Sequence, residues 1–490
     1  MFLLGIDAGQ TATKAALFDP DGREIASSRV AARIEAPRPR WQERDMEGLW
    51  RECAAAVRDC LGRAGVRPAQ VAAVGLAGHG DGAYLVDEAL RPVRPAILAT
   101  DSRAHFYAET VSRSGSAGQA LALTGQVPFA ASPASLLAWL RDHEPDRLAR
   151  ARWALFCKDW IRLRLTGGVA TDPTEASASF TDVHNQEWSS RALELYGLPE
   201  VAGLLPPIHA SAEVVGEVSA DGAEATGLAA GTAVVTGAHD VDAAAIGVGA
   251  ADPGRLSLVM GTFSINQIVA TAPVCDVRWQ ARAFVRPRQW LHMYTSPSGA
   301  ANLEWALDRF GPHRPDGSPD HAAALAEAAR SDPEAVPVYL PFLYGSPHGD
   351  DIDAALVGLR GWHDRGSVIR AVLQGVAFNH RHHVDALRER FPIDAPARLC
   401  GGGARSLMWS RLMADVLGLA VELSDAGEAG ARGASVLAGV GIGVYADLSE
   451  GIARTVRVVH RHDPDPVMTD RLSVTYERYQ SVIKALLTLR

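Results

Sequence analysis

The chain has 490 residues, which is too long for one ordinary hydrophobic core and favours two large domains. Hydrophobic residues make up 47% of it and charged residues 21%, a composition typical of globular rather than disordered proteins. The formal net charge is −9, and no long block of like charges occurs. These features exclude a basic surface for nucleic acid or for an anionic membrane.

The sequence shows no pattern of membrane insertion or secretion. No apolar run approaches the roughly 18 residues that a membrane span needs. The N-terminus reaches Asp7 without the basic and then apolar regions of a secretory signal. Five cysteines, an odd number without a CxxC pair, stand at Cys53, Cys60, Cys157, Cys275 and Cys400. We therefore expect buried free thiols in a protein of the reducing cytoplasm.

The first half of the chain alternates strand and helix patterns. Apolar residues at 2–6 and a loose alternation at 14–19 predict a hairpin around Asp7. Apolar residues spaced by three and four over 46–61 predict a helix. The other predicted elements of this half are a buried strand at 71–76, a mostly helical stretch at 134–166, a strand at 231–237 and a helix of small residues from 243.

The second half repeats the strand, glycine turn and strand of the N-terminus. Strands predicted at 255–260 and 263–269 flank Gly261 and Thr262, which is a hint of duplication. We place the boundary between two mixed α/β domains at 243–254 and expect the ligand in a cleft between them. The other predicted elements are a long amphipathic helix at 367–386, a strand ending at 400, helices near 406–417 and 430–442, and a C-terminal helix.

Four segments carry candidate chemistry, and the first is the turn after the first strand. Gly9 lets phosphate oxygens approach backbone N–H groups, and Thr11, Thr13 and Lys14 add polar contacts. Asp7 at the strand end can hold Mg²⁺, usually through water. An ordinary hairpin with a glycine turn gives the same pattern, and the GxxxxGK[ST] phosphate loop is absent there.

Two glycine turns of the second half are the next candidates. Gly261 and Thr262 would form a second phosphate turn that faces the first across the cleft. The glycines at 401–403, between a strand and a helix, would let a flat group lie against the backbone. Each turn taken alone also fits a tight structural turn.

The fourth segment, residues 237–242, carries two carboxylates. An Asp at a strand end that opens a helix is placed to accept the proton of an attacking hydroxyl in phosphoryl transfer. Helix N-capping is the alternative use of such an Asp. Asp240 and Asp242 compete for the role, and their spacing does not choose between them.

At these four segments together the chain resembles the FGGY carbohydrate kinases of the actin/Hsp70-like ATPase superfamily, over essentially its full length. The resemblance implies two actin-like (ribonuclease H-like) α/β domains, 1–243 and 244–490, each a mixed β-sheet flanked by helices, with a catalytic cleft between them. It also implies ATP and Mg²⁺ as cofactors of a sugar or polyol kinase. Further matching stretches lie at 41–45, 96–104, 158–167, 170–177, 370–383, 401–418 and 430–445.

The resemblance also implies roles for individual residues. Asp240 rather than Asp242 falls on the catalytic base, and Asp7 falls on the carboxylate at the Mg²⁺ side. Asp101 and Arg103 match a pair of the substrate domain, for which a structural salt bridge is the alternative. The residues implied to bind phosphate or adenosine are Gly9, Gln10, Thr11, Lys14, Gly261, Thr262, Gly402, Gly403 and Ser406.

Residues 78–82 depart from the pattern of D-xylulose kinases, which usually carry a Met-His pair at the positions of Gly80 and Asp81. L-Xylulose kinases resemble this chain with a Lys there, and erythritol kinases look most similar with a Gly-Asp pair. Because an Asp can accept two hydrogen bonds from a polyol, we expect Asp81, with His79, to bind substrate and alter selectivity. A structural Asp in a hairpin turn is the alternative.

The expected substrate is a xylulose-type pentulose, with erythritol or L-erythrulose as alternatives. A non-kinase ATP-binding module and a sugar-responsive regulator are more distant readings. No nucleic-acid or membrane partner is expected, and the oligomeric state stays open, although homodimers are common in such kinases. The pair Trp41 and Glu43 would contact substrate or cover the first helix. Three histidines without a paired carboxylate or cysteine set predict a solvent- or interface-facing cluster rather than a metal site: His380, His382 and His383.

Overall fold

The structure is a computed structural model and describes residues 1–349, 352–393 and 395–489. The strands are β1 Phe2–Ala8, β2 Ala12–Phe18, β3 Glu24–Ala31, β4 Glu43–Arg44, β5 Val71–Gly78, β6 Tyr84–Val86, β7 Ala96–Ile97, β8 Trp153–Leu155, β9 Val214–Glu217, β10 Ala233–Val235, β11 Ala238–His239, β12 Leu256–Met260, β13 Ser264–Ala270, β14 Gln280–Ala283, β15 Trp290–Ser296, β16 Val338–Leu340, β17 Ala355–Val357, β18 Ala397–Cys400, β19 Val421–Ser424 and β20 Val458–His462. The helices are α1 Met46–Ala64, α2 His105–Arg113, α3 Ala117–Thr124, α4 Pro133–His143, α5 Pro145–Arg150, α6 Cys157–Thr166, α7 Pro173–Ala176, α8 Ser190–Leu195, α9 Ala220–Thr226, α10 Asp240–Val248, α11 Ala301–Phe310, α12 His321–Ala329, α13 Arg365–Arg388, α14 Leu407–Leu417, α15 Ala429–Gly441, α16 Leu448–Thr455 and α17 Pro466–Leu487.

The chain divides into two compact units, and neither is one continuous stretch. The first consists of Met1–Ala251, Val269–His292 and Ala426–Arg457, and the second of Asp252–Ile268, Met293–Asp425 and Val458–Arg490. The division at residue 243 expected from the sequence counts Ala426–Arg457 with the second domain, whereas this segment packs within the first unit. The assignment of separate binding roles to the two domains stays a prediction.

The first unit is built on a mixed sheet with the strand order β3-β2-β1-β5-β10-β9, and β11 also pairs with β5. Strand β1 runs antiparallel to β2 and parallel to β5, and β11 runs parallel to β5. Ala8 and His239 both pair with Gly78, the last residue of β5. Because parallel strands end at the same edge of a sheet, the segments that follow β1, β5 and β11 come together there.

The two faces of β1 meet helices of different composition. Leu4 and Ile6 point into a core cluster that includes Leu49 and Trp50 of α1, the amphipathic helix predicted from the sequence. Gly5 alternates to the other face, where a side chain would overlap the backbone of Ala431 in α15. One face of the sheet is therefore packed by large side chains and the other by backbone in direct contact with a helix of small residues.

The second unit contains strands in the order β15-β13-β12-β18-β19-β20. Strand β12 runs antiparallel to β13 and parallel to β18, so this sheet is also mixed. Helix α13 starts where the Asp364 carboxylate accepts a hydrogen bond from the backbone N–H of Ser367 at 2.8 Å, and it is largely buried. Two mixed sheets flanked by helices confirm the fold class that the resemblance implies. None of the helices in the described part of the chain is long and apolar enough to cross a membrane.

The expectation for the histidines of α13 is wrong for two of the three. His380 and His383 are fully buried, because they lie three residues apart on the face of the helix that packs against the sheet. Asn266 bridges them, with contacts of 2.8 Å to His380 Nδ1 and 2.7 Å to His383 Nδ1. The ring of Tyr294 stacks on His383 at 3.9 Å. They form part of the second unit's interior, and burial lowers the pKa of His380 to about 3.

Two smaller expectations are also settled. The prediction that 134–166 is mostly helical is confirmed by α4, α5 and α6, and the short strand β8 lies between α5 and α6. All five cysteines are free thiols, and all except the half-buried Cys275 are buried. Burial raises the pKa of Cys53 and Cys157 to about 12, so these thiols are not nucleophiles at neutral pH.

Candidate active site

Three segments meet at the carboxyl edge of the first unit's sheet. The loop after β1 and the start of β2 supply residues 9–14, and the turn after β5 supplies 79–82. The end of β11 supplies His239, and the start of α10 supplies Asp240. The backbone N–H of His79 donates to the carbonyl of Ala8 at 3.1 Å, which joins the first two segments directly. The residues singled out by sequence in three separate motifs therefore lie at one edge.

Asp7 is the next-to-last residue of β1 and is half-buried. Its Oδ1 atom is buried and has no hydrogen-bond partner within the protein. A side chain at Gly430 would come within 2.5 Å of Oδ2, so this glycine of α15 keeps space for the carboxylate. Burial raises the pKa of Asp7 to about 6, opposed by the charge of Lys14 and reinforced by that of Glu428. An unpartnered buried carboxylate oxygen fits a ligand for a divalent cation, directly or through water.

The loop after β1 is held by side chains from outside it. Arg44 donates to the carbonyl of Gly9 and to the hydroxyl of Thr13, both at 3.3 Å. Thr13 is fully buried, whereas Thr11 is exposed. The side-chain oxygen of Gln10 accepts a hydrogen bond from Thr100 at 3.0 Å. Of the polar side chains predicted to contact phosphate, Thr11 therefore faces solvent and Thr13 faces the protein interior.

Lys14 forms an ion pair that the sequence did not reveal. Its Nζ lies 2.7 Å from Oε2 of Glu428, the residue just before α15. Both side chains are only partly buried. The ammonium group thus has a carboxylate partner from the opposite end of the chain, and this partner fixes it beside the loop.

Asp240 and Asp242 differ in the fraction of the side chain that is exposed to solvent. Asp240 opens α10 with 31% of its side chain exposed, whereas Asp242 has 1% exposed. Burial, and then the charge of Asp7, raise the pKa of Asp240 to about 8. Burial, and then the charge of Asp172, raise the pKa of Asp242 well above its usual range. Only Asp240 combines access for a substrate with a pKa close to neutrality, which suits a general base.

Asp81 is held in a strained backbone conformation by a partner absent from the sequence motifs. Its φ is 58°, in the left-handed region, and it is buried. Arg282 of β14 donates from Nη2 to both carboxylate oxygens, at 2.8 and 3.1 Å. The Nη1 atom of Arg282 is buried without a hydrogen-bond partner. Asp81 is therefore a buried residue rather than a solvent-facing turn residue, and Arg282 is its ion-pair partner.

The other predicted substrate residues also have protein partners. Asp101 and Arg103 form a buried ion pair with contacts of 2.8 to 3.0 Å. The Arg103 guanidinium lies 3.7 Å from the ring centre of Trp41 and 2.8 Å from a carboxylate oxygen of Glu43. Trp41 and Glu43 thus pack on Arg103, and the arrangement has the form of a structural salt bridge. Nε2 of His79 contacts the hydroxyl of Tyr84 at 2.9 Å.

A charged network lies beneath these residues. Lys158, which is fully buried, pairs with Asp159 at 2.7 Å and with Asp172 at 3.0 Å. Glu175 is also fully buried, and neither of its carboxylate oxygens has a hydrogen-bond partner. Burial raises the pKa of Glu175 well above its usual range, although the charge of Lys158 opposes this. We therefore expect the folded protein to keep the proton of Glu175 to a higher pH than the unfolded chain does.

Glu175→Gln should change how stability depends on pH. Because the folded state keeps a proton that the unfolded state loses above its usual pKa of about 4.3, the wild-type protein loses stability as pH rises from there. The variant lacks this loss, so its free energy of unfolding relative to wild type should increase by about 1–2 kcal/mol between pH 5 and pH 8. Urea unfolding at both pH values measures it, with exposed Glu88→Gln as the control. An advantage that does not change with pH would show that Glu175 is ionised.

The second unit brings its two glycine turns to neighbouring strand ends. Gly261 and Thr262 join β12 to β13, and Gly401 follows β18, which lies beside β12. Gly401 has a φ of 94°, and a side chain there would come within 2.6 Å of the carbonyl oxygen of Met260. The hydroxyl of Ser406 accepts a hydrogen bond from the backbone N–H of Trp409 at 3.2 Å and caps α14. The two turns that contain Gly261, Thr262, Gly402 and Gly403 thus lie at the ends of neighbouring strands.

Comparison with known proteins agrees with this geometry. The N-terminal domain of the FGGY family of carbohydrate kinases matches residues 2–247, and the C-terminal domain of that family matches residues 256–442. L-Xylulose/3-keto-L-gulonate kinase of Escherichia coli K12 is 34% identical over 99% of this chain and 97% of its own length. Erythritol kinase of Brucella abortus is 30% identical over 93% of this chain and 90% of its own length.

A solved structure shows the same fold. The crystal structure of xylulose kinase from Rhodospirillum rubrum is 25% identical and superposes with a TM-score of 0.89, covering 100% of this chain and 99% of that one. The family resemblance and the fold class predicted from sequence are thereby confirmed. The chain belongs to the FGGY family of carbohydrate kinases, enzymes that use ATP to phosphorylate a sugar hydroxyl.

Proposed function

We propose that this kinase phosphorylates a hydroxyl, a terminal primary one, of a xylulose-type pentulose, with Asp240 as the general base. The observation that carries the proposal is the accessible carboxylate of Asp240 beside the end of β1, with a pKa raised to about 8. The names of the relatives support the substrate class, since two of the three act on xylulose-type ketoses. The erythritol kinase among the relatives keeps erythritol or L-erythrulose as the second candidate.

In this proposal Asp240 takes the proton of the attacking hydroxyl, and the hydroxyl oxygen attacks the γ-phosphorus of ATP in line while the bond from that phosphorus to the bridging oxygen breaks and ADP leaves. Most of the rate enhancement comes from positioning and charge stabilisation. Asp7, with its unpartnered oxygen, would hold Mg²⁺. The ion would supply charge neutralisation at the phosphates. The groups proposed to hold phosphate are Gly9, Gln10, Thr11 and Lys14, whereas the buried Thr13 would act only through its contact with Arg44. Those proposed to hold the nucleotide in the second unit are Gly261, Thr262, Gly402, Gly403 and Ser406.

Substrate selection is proposed to involve His79, Asp81, Asp101 and Arg103. The pairing of Asp81 with Arg282 changes how this can be tested. Removing the carboxylate alone leaves a buried guanidinium without its partner, which typically costs about 3–5 kcal/mol. A change of substrate preference in a single Asp81 variant would therefore be mixed with a loss of stability, so Asp81 and Arg282 should be replaced together.

The substrate assignment is tested by a coupled assay of ADP formation over D- and L-xylulose, D- and L-ribulose, erythritol, L-erythrulose and hexuloses. We expect kcat/KM for one xylulose enantiomer to exceed that for erythritol by at least about tenfold, the discrimination expected from one added hydroxymethyl group in a fitted site. A preference for erythritol or L-erythrulose would favour the second candidate. ATP hydrolysis that no sugar stimulates would instead favour an ATP-driven binding module.

A further inference from the structure

The imidazole of His239 occupies the place that a side chain at position 80 would take. A Cβ atom at Gly80 would lie 2.6 Å from Nε2 and 2.7 Å from Cδ2 of His239. It would also lie 3.0 Å from Oε2 of Glu175. The two segments meet because β5 and β11 end side by side. The imidazole of His239 therefore fits in this position only because residue 80 is a glycine.

His239 stands between two carboxylates. Its Nε2 lies 3.3 Å from Oδ1 of Asp240, and its Nδ1 lies 3.6 Å from Oδ2 of Asp242. The backbone N–H of His239 donates to the hydroxyl of Thr174 at 2.9 Å, which fixes the residue at the start of α10. The ring is almost fully buried, with 7% of the side chain exposed. A buried ring with a fixed backbone can hold a neighbouring carboxylate in one orientation.

The surroundings favour a neutral ring. The carboxyl groups of Asp240 and Asp242 lie beside the ring, and Arg282 of β14, His79 after β5 and Lys158 of α6 act on its pKa. Burial is the main reason that the pKa of His239 is well below its usual range, and these three groups lower it further. A neutral imidazole carries one N–H, and the tautomer with the proton on Nε2 directs it at Asp240.

We propose that His239 is a positioning residue, which donates from Nε2 to Asp240 and orients that carboxylate toward the attacking hydroxyl. We further propose that Gly80 is the residue that makes this possible. The inference rests on the proposed role of Asp240 as the base. At position 80 this chain has Gly where D-xylulose kinases usually have the Met of a Met-His pair. In this proposal the difference affects the geometry of the catalytic base as well as the shape of the sugar site.

Replacing His239 by Gln or by Asn, which are similar in shape to parts of histidine, tests whether the ring acts as a hydrogen-bond donor or only fills space. The amide nitrogen of Gln occupies the place of Nε2, whereas that of Asn occupies the place of Nδ1, so His239→Gln keeps a donor toward Asp240 and His239→Asn does not. We expect His239→Asn and His239→Leu to lower kcat by about 10- to 100-fold, since a small misplacement of a catalytic group costs about this much. His239→Gln should keep kcat within about fivefold of wild type. KM for sugar and for ATP should stay within about threefold in all of them.

A double-mutant cycle tests the link to Gly80. Gly80→Ala should lower kcat in the wild-type background because the methyl group displaces His239. In the His239→Ala background the same change should lower kcat by a smaller factor, since the imidazole is gone and only the contact with Glu175 remains. Additive losses in the cycle would overturn the coupling, and equal losses for Gln, Asn and Leu at 239 would overturn the donor role. Melting temperature and ADP binding are measured for each variant, so that loss of folding is recognised.

Asp240→Asn in the same assay separates this inference from the function on which it rests. Normal turnover in Asp240→Asn would show that Asp240 is not the general base, and this would overturn the proposed mechanism. An inactive Asp240→Asn together with fully active His239→Asn and His239→Leu would leave the base assignment standing and overturn the positioning role alone.

Discussion

Asp240→Asn is expected to lower kcat by about 10²- to 10⁴-fold, the contribution typical of a positioned general base. The amide keeps the size and much of the hydrogen bonding of the carboxylate but cannot accept the proton. Asp240 belongs to the first unit and the glycine turns proposed to hold adenosine belong to the second, so the affinity for ADP should change by less than about threefold. Steady-state kinetics with the best sugar and calorimetric titration with ADP measure the two quantities. Turnover close to wild type would remove Asp240 from the mechanism.

The same replacement should stabilise the protein, and more so at high pH. The folded-state pKa of Asp240, about 8, is above its value of 3.8 for a free side chain. The folded state thus keeps a proton that the unfolded state loses, and wild-type stability falls as pH rises from about 4 to about 8. Asparagine has no such dependence. Because the side chain is partly exposed, we expect a gain of about 1–2 kcal/mol at pH 8 relative to pH 5.

Urea unfolding at the two pH values, without nucleotide and with a chelator, measures this gain. Asp240→Glu keeps a carboxylate and serves as the matched control, which should lose activity without the same pH-dependent stabilisation. A stability difference between Asn and wild type that is equal at both pH values would show that Asp240 is ionised in the free enzyme. Opposite signs for activity and stability are characteristic of residues retained for function.

Gly433→Ala is expected to destabilise the first unit by about 3 kcal/mol or more, at the upper end of overpacking effects. A methyl group at 433, in α15, would overlap the backbone carbonyl of Ala243 in α10. Backbone atoms of two packed helices cannot rotate away as a side chain can, so the helices must separate. Ala77, Ala243 and Ala434 are fully buried together at this contact, and separation would open it.

Gly62→Ala is the matched control, since Gly62 also lies within a helix but has no atom within 4 Å of the added methyl group. It should stabilise the protein by about 0.5–1 kcal/mol through helix propensity. Thermal and urea unfolding of both variants measure the difference. Equal stability of the two variants would mean that α10 and α15 are not in backbone contact.

Local patterns predicted the elements well, and partners distant in sequence were not predictable. The hairpin at β1 and β2, the helix α1 and the long helix α13 follow from periodicities contained in each segment. Arg282 is 201 positions from Asp81, and no motif marks it. Glu428 has a weak signal, as an acidic residue just before a matching stretch, but its pairing with Lys14 depends on the path of the whole chain.

The choice between Asp240 and Asp242 shows the same limit for the site. Spacing places both at the start of one helix, and only the packing of the first unit buries one and exposes the other. The histidines of α13 show how composition can mislead. Three polar residues close together suggest a surface, but positions 380 and 383 share the buried face of the helix, and Asn266 on a neighbouring strand contacts Nδ1 of both rings.

The segment Ala426–Arg457 belongs to the first unit, and this has a consequence for folding during translation. The backbone of α15 covers Gly5 and Gly75, the positions where β1 and β5 have no side chain on that face. Until the ribosome has made this segment, the face of the first sheet at Gly5 and Gly75 stays uncovered in the nascent chain. The amino-terminal unit therefore finishes folding late in translation, and a chain terminated before residue 457 would lack part of the domain that carries Asp240.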